Sequence, residues 1–357
     1  MLNATATVTL SDPLTLLRQL GEHMAEHDLP LVLDGARAEA WLPMGRAVFR
    51  LRDPGLVLEA SAPAQADIEQ IIEFMASHVL EFAGDDRPAI RWSGDAPRGA
   101  LFADFREMEV VAVRNLTPHM RRITLRGTDL GRFATAEHLH VRLYLPPEGV
   151  HPPHWPRPGA DGLPVAIAPD LRPALRRYTI RRIDVAAGEV EIDFVLHADG
   201  GPGAGWAARA RPGDLCGMAG PGGRNVKPAD WVLVAGDETA LPAIARILEE
   251  LPPATEGLAL IEVGSMAEIQ PLAAPAGVRV DWLDRQGAEA GTTDLLPAAI
   301  RAVTPPEGRS SFFWVGCEYS AFRAIRSDLR SRLRRGKGDH LVVSYWQRGK
   351  AEDEAAE

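Results

Sequence analysis

No apolar run in this 357-residue chain approaches the ~18 residues that a membrane-spanning helix needs, so no bilayer span is expected. Cysteine is scarce. Cys216 and Cys317 are the only two, too few for a disulfide framework and without metal-ligand spacing. Both read as buried small apolar residues, in keeping with a reducing cytoplasm. Basic residues do not dominate either: 39 Lys and Arg face 49 Asp and Glu, a net charge of -10 that argues against a general nucleic-acid binder. There is no G-x-G-x-x-G, which leaves a dinucleotide-first Rossmann enzyme unsupported. Nor is there a Ser/His/Asp or paired-carboxylate constellation to carry hydrolytic chemistry. The first ten residues lack a basic n-region and read as a strand, not a signal peptide.

What is present falls into three blocks, about residues 1–97, 98–225 and 226–357. The first opens with alternating Thr5-Ala6-Thr7-Val8-Thr9-Leu10, a period-two strand signal. Ser11-Asp12-Pro13 then starts a helix carrying Leu14, Leu17, Leu20 and Met24. Short strands are expected around Leu31–Leu33, Ala38–Leu42, Ala47–Leu51 and Leu56–Ala60, and a second helix over Ala64–Phe82. Ile90-Arg91-Trp92 is the expected closing strand. Together these make an α+β domain, with two helices on a curved antiparallel sheet. His23 and His27 stand four apart on the first helix, a spacing compatible with a metal pair, but no third ligand is evident and solvated or capping histidines are preferred.

The second block has six short strand signals: Met108–Arg114, Met120–Arg126, His140–Leu145, Arg177–Ile183, Glu189–Leu196 and Asp214–Met218. An antiparallel six-stranded β-barrel is the expectation. The Pro/Gly-rich connection from Pro146 to Pro173 reads as a functional flap or mobile insertion, and His138, His140, His151 and His154 as structural or flap histidines. The third block alternates strands with helices, which implies a parallel sheet covered on both faces. A β-barrel followed by an α/β nucleotide-binding domain is a ferredoxin-reductase-like architecture.

Three segments carry the chemistry. In Arg176-Arg177-Tyr178-Thr179-Ile180-Arg181, residues two apart share a strand face. A guanidinium there suits a pyrophosphate, the Tyr ring suits a flat ring system, and the Thr suits that system's polar edge. The competing reading is a basic edge strand in water. The second segment, His197 and the glycine-rich Gly200–Trp206, runs from a strand into a short helix. Its opening N–H groups and dipole suit a phosphate. The third is Gly236-Asp237-Glu238-Thr239-Ala240-Leu241-Pro242-Ala243-Ile244, at the carboxyl end of a buried strand, where open α/β sheets bind nucleotides. Glu262, near the next strand's end, can favour a ribose hydroxyl over a 2′-phosphate. Tyr345 and Trp346 either stack near a cofactor or finish the core. The run Arg323, Arg326, Arg330, Arg332, Arg334, Arg335 and Lys337 is either a solvated face or an attractor of anions.

Over residues 105–350 these motifs resemble the siderophore-interacting proteins, cytoplasmic FAD-dependent ferric-siderophore reductases with a ferredoxin-reductase-like fold. The first block resembles a small uncharacterised domain that precedes this module in some members. The resemblance implies FAD held by Arg176, Tyr178, Thr179 and Arg181, with His197, Gly203, Ala204, Gly205 and Trp206 near its pyrophosphate. Asp237, Glu238, Thr239, Tyr345 and Trp346 complete the implied cofactor-binding set, and no resident metal is implied. The donor would be NADPH or NADH, with ferredoxin an alternative, and the substrate a ferric siderophore. Two departures stand out: Ala204 replaces the family's usual Ser, and Arg348 falls one position later than the usual Arg. A general flavin or ferredoxin-type reductase and a non-catalytic siderophore-binding module are the competing functions.

Overall fold

Strand β1 (Leu2–Thr9) alternates as its sequence demands, with Ala4, Ala6 and Val8 buried and the intervening threonines exposed. It lies inside an antiparallel sheet with β2 (Val32–Asp34), β3 (Arg37–Leu42), β4 (Gly45–Arg52), β5 (Gly55–Ala62) and β6 (Ser93–Gly94), ordered β2-β3-β4-β5-β1-β6. Helix α1 (Pro13–Glu26) begins where Asp12 Oδ1 accepts from Thr15 N at 3.1 Å. Its buried face is Leu16, Leu17, Leu20 and Met24, whereas Leu14, expected on that face, is exposed. Helix α2 (Gln65–Phe82) buries Ile68, Ile71, Ile72, Met75 and Val79 in the same core. Each such side chain contributes about 1.5–3 kcal/mol of transfer free energy.

The closing strand is shorter and later than expected. Only Ser93–Gly94 pair with β1, because Trp92 is held elsewhere, its indole N–H donating to Asp161 O at 2.9 Å. That partner belongs to the long Pro/Gly-rich connection. Residues His154–Arg172 join Met1–Phe105 in one compact unit, and Arg106–Pro153 with Pro173–Glu357 form the other. The segment expected as a flap or mobile insertion is thus docked within the first unit, with Trp155 buried 5.5 Å from the Phe105 ring.

The computed structural model describes residues 1–26, 29, 31–97, 99–197, 201–336 and 338–350; His27, Gly200 and Lys337 lie outside them. His23 sits 5.4 Å from the His78 ring and 5.5 Å from Phe82. Among the described residues no group of three or more His, Cys, Asp or Glu is placed to hold a metal. No described helix is long and apolar enough to cross a membrane.

The second unit opens with an antiparallel sheet of β7 (Phe105–Thr117), β8 (Met120–Arg126), β9 (His140–Leu145), β10 (Ala174–Thr179), β11 (Arg182–Asp184), β12 (Glu189–Val195) and β13 (Leu215–Gly222). Their order is β10-β9-β13-β7-β8-β12-β11. Seven strands stand where six were expected, because the segment read as Arg177–Ile183 changes partner midway. Ile180 N donates to Leu139 O at 3.0 Å, before β9, and Arg181 N donates to Glu191 O of β12 at 2.9 Å. One continuous segment thereby runs from one end of the sheet, β10, to the other, β11, and draws the two ends together. Inside lie Met108, Val110, Ile123, Leu125, Val141, Leu143, Ile192 and Phe194, plugged at one side by helix α3 (Pro202–Arg209) through Trp206 and Ala207.

The rest of the unit is a parallel sheet, β16-β15-β14-β17-β18, from β14 (Trp231–Gly236), β15 (Glu256–Val263), β16 (Gly277–Asp284), β17 (Ser311–Glu318) and β18 (His340–Trp346). Helices α4 (Leu241–Glu250), α5 (Leu295–Arg301) and α6 (Tyr319–Ser331) connect the strands. Burial on both faces explains near-continuous apolar runs such as Ser311–Glu318, where every residue is buried. Helix α6 ends at Ser331, and Arg334 adopts φ 50° beyond its end. Arg323, Arg326 and Arg330 lie on its exposed face, with Arg326 over the Phe322 ring at 5.6 Å, as a solvated helix face would. Cys216 and Cys317 are free and buried, and burial pushes both thiols well above their ordinary range.

Candidate functional site

Strand β10 presents Arg176 and Tyr178 on one face and Thr179 on the other. Arg176 is buried, and its Nη1 donates to Leu175 O at 2.6 Å. The Tyr178 ring lies 4.2 Å from Phe194, which in turn lies 5.8 Å from Trp206, so an aromatic row joins β10, β12 and α3. Gly203 seats the end of that row: a Cβ there would overlap the Tyr178 hydroxyl. Helix α3 starts at Gly201 with proline in its first turn, and among the described residues none caps it through a side chain or comes within 4 Å of a Cβ at Gly201. Ala204 and Trp206 are buried, Gly205 is half-buried, and His197 is exposed at the end of β12. A flat aromatic seat, a buried cation and an uncapped helix start with open backbone fit the ring, charge and phosphates of a flavin nucleotide.

The opposite face of β10 reaches the parallel sheet. Burial pushes the Tyr345 hydroxyl upward in pKa, and the Thr179 side chain beside it opposes the rise. Trp346 Nε1 donates to Asp237 Oδ2 at 2.9 Å, and the same oxygen accepts from Glu318 N at 3.0 Å. Asp237 Oδ1 accepts from Thr239 N at 3.0 Å, closing the turn into α4. Burial first, and the neighbouring Glu238 second, raise the Asp237 pKa to about 6, while its hydrogen bonds to Thr239 and Trp346 oppose the rise. Asp237 therefore binds its proton more tightly in the folded chain than in the unfolded one. Its contribution to stability falls as pH rises from about 4 to about 6. Tyr345 and Trp346, left open as stacking or core residues, are thus the stitch between the β10 strand and the centre of the parallel sheet.

Two further members of the expected cofactor set form ion pairs. Arg181, three residues beyond Tyr178 and so off the Arg176 and Tyr178 face of an extended segment, makes a bidentate pair with Glu249 of α4, at 2.9 and 2.6 Å. Glu238 makes a bidentate pair with Arg285, at 2.7 and 2.6 Å. Glu262, expected to face a ribose, is buried instead. It accepts from Arg285 at 3.3 Å and Thr293 at 3.2 Å, and its other oxygen caps α5 through Leu296 N at 3.1 Å. The displaced Arg348 meets Glu318 through its backbone N–H at 3.2 Å, not through its guanidinium.

Sequence reasoning missed Arg246, whose buried guanidinium donates to Glu250 at 2.8 Å, to Ile180 O at 3.2 Å and to Thr135 O. It also missed Glu268, which accepts from Thr117 and from His119 N at 3.3 Å. Arg246 has one sequence signal, a charge on the apolar face of an otherwise amphipathic helix.

The family model described as "Siderophore-interacting protein" matches residues 229–349, and that described as "Siderophore-interacting FAD-binding domain" matches residues 109–225. A ferric vibriobactin reductase of Vibrio cholerae is 32% identical over 252 residues, 70% of this chain and 91% of that protein. The chain belongs to the siderophore-interacting protein family. It is an FAD-dependent oxidoreductase, and its antiparallel sheet followed by a parallel α/β sheet keeps the order expected from its sequence. An NADPH-dependent ferric-chelate reductase of Escherichia coli is 34% identical over 205 residues, covering 54% of this chain and 78% of that protein. The crystal structure of a siderophore utilization protein from T. fusca superposes with TM-score 0.60 at 40% identity, over 71% of this chain and 96% of that one. Residues 5–93 match a family described as an uncharacterized protein conserved in bacteria.

The seat at Gly203 yields a direct test of the family's flavin site in this chain. Gly203→Ala is expected to push Tyr178 off the aromatic row and weaken FAD binding by roughly tenfold or more, about 1.4 kcal/mol. Fluorescence titration of flavin into the folded variant reads the change; wild-type affinity would show that Tyr178 does not bear on the flavin.

Proposed function

We propose that the chain is a cytoplasmic ferric-siderophore reductase that takes electrons from a nicotinamide nucleotide and delivers them to chelated Fe(III). Residues 98–225 hold FAD, residues 226–357 receive the nucleotide, and residues 1–97 have a separate role. The observation that carries this reading is the joining of the Arg176–Tyr178 face and the α3 start to the carboxyl edge of the parallel sheet through Thr179–Tyr345 and Trp346–Asp237. When bound, FAD supplies the conversion of a two-electron hydride donor into single-electron transfers.

The chain's own residues bind and orient. Tyr178, backed by Phe194 and Gly203, offers a ring surface, and Arg176 offers a charge beside it. The first turn of α3 offers N–H groups to phosphate, and Thr179, fixed by Tyr345, holds the far side of the strand. None of these residues needs to act as a nucleophile or general base, in keeping with an electron-transfer reaction. Fe(II) leaves because anionic oxygen chelators hold it far less well than Fe(III).

Trapping of Fe(II), with NADH, NADPH or a reduced ferredoxin as donor and catecholate or hydroxamate chelates as acceptor, tests the reading. The expected outcome is FAD-dependent Fe(II) release with at least one nicotinamide nucleotide. Turnover of free flavin alone would favour a general flavin reductase, and tight chelate binding without reduction a binding module.

A further inference from the structure

In the parallel sheet the strand order reverses between β14 and β17, so a nucleotide lies across the carboxyl ends there, its phosphates over the turn that follows β14. The adenosine ribose then falls on the β15 side of that turn, where Glu238, Glu262 and Arg285 stand. The position usually read from sequence is the end of β15, and Glu262 occupies it, but its carboxylate is consumed inward by Arg285, Thr293 and Leu296 N. Glu238 is the carboxylate that remains at the surface, its side chain 17% exposed. Arg285 is the cation at this place, and it is 7% exposed and gripped on both arms by Glu238.

We propose that Glu238 is the specificity-determining residue for the electron donor and selects NADH over NADPH. The inference rests on the reductase reading and deepens it. A carboxylate has about four acceptor positions, and Arg285 uses two on Glu238, which leaves acceptors for a ribose hydroxyl. A 2′-phosphate meets the reverse. The cluster holds two carboxylates and one guanidinium, so it carries a net negative charge. The guanidinium that would bind a phosphate is already paired, and freeing it would cost the Glu238 pair while leaving that carboxylate beside a dianion. Removing the charge of Glu238 reverses the logic, since Arg285 then has one arm uncommitted.

The experiment titrates the FAD-loaded full chain calorimetrically with NAD⁺ and with NADP⁺, and follows anaerobic flavin reduction by NADH and NADPH. The wild type is expected to bind NAD⁺ at least roughly tenfold more tightly than NADP⁺, with the same order in the reduction rates. Glu238→Gln is expected to move the ratio by roughly tenfold or more toward NADP⁺, and Glu238→Asp, which keeps the charge, to retain the preference. Equal or tighter binding of NADP⁺ by the wild type overturns the inference, even if the variants do not fold. So does a folded Glu238→Gln with an unchanged ratio, or flavin that neither nucleotide reduces. A chain that binds NAD⁺ selectively but holds no FAD would sink the reductase reading and leave the nucleotide preference standing.

Discussion

Replacing Arg246 by methionine is expected to lower stability by about 3 kcal/mol, the lower end of the cost of breaking a buried ion pair. The aliphatic stem is kept, so the loss reports the guanidinium. Its three partners are Glu250, Ile180 O and Thr135 O, and the two carbonyls belong to the barrel while Arg246 itself belongs to α4. Glu250 stays partly solvated and also receives Asn225 Nδ2 at 3.0 Å, which is why the lower end applies. For a unit of this size the change corresponds to a fall of roughly 6–12 °C in melting temperature. Calorimetric scans of wild type and variant read it directly. A melting temperature within a degree of wild type would mean that the barrel and the parallel sheet do not depend on this clamp. Because Ile180 follows Thr179, the same variant should also slow flavin reduction by the nucleotide more than it weakens flavin binding.

Arg176→Ala is expected to weaken FAD binding by about 1.5–3 kcal/mol, the range for a charge-assisted hydrogen bond, or roughly 10–150-fold in Kd. The side chain is buried on the Tyr178 face of β10, so an adjacent anion would meet it in a poorly screened setting. Arg176→Lys should recover only part of the loss, since an ammonium cannot offer a planar fork to phosphate oxygens. Fluorescence titration of the three proteins gives the order wild type, Lys, Ala. Equal affinities would reduce Arg176 to a strand residue that holds its own backbone through Leu175 O.

The period-two alternation of β1 and the apolar stripe of α2 were legible because burial alone sets them. The strand read as Arg177–Ile183 was legible as extended chain, but not as two strands, since local pattern does not record a change of hydrogen-bonding partner at Ile180. Ile90–Trp92 looked like a strand for its apolar content. What that content serves is the docking of Trp92 on Asp161, some seventy residues away in sequence. At the site, Tyr178 and the α3 turn could be read from residue type and spacing, whereas the seating of Tyr178 on Gly203 could not. Glu262 and Glu238 are the clearest case. Both stand at the carboxyl ends of buried strands, and only the folded chain shows that the start of α5 takes one carboxylate inward and leaves the other at the edge.

The most direct test of the account reduces the FAD-loaded protein anaerobically with one equivalent of nicotinamide nucleotide, then mixes it with a ferric siderophore and follows flavin colour and trapped Fe(II) together. The expected result is return of the oxidised flavin spectrum with two Fe(II) released for each hydride consumed. Reduced flavin that persists beside the ferric chelate, yet is reoxidised by added free flavin, would contradict it.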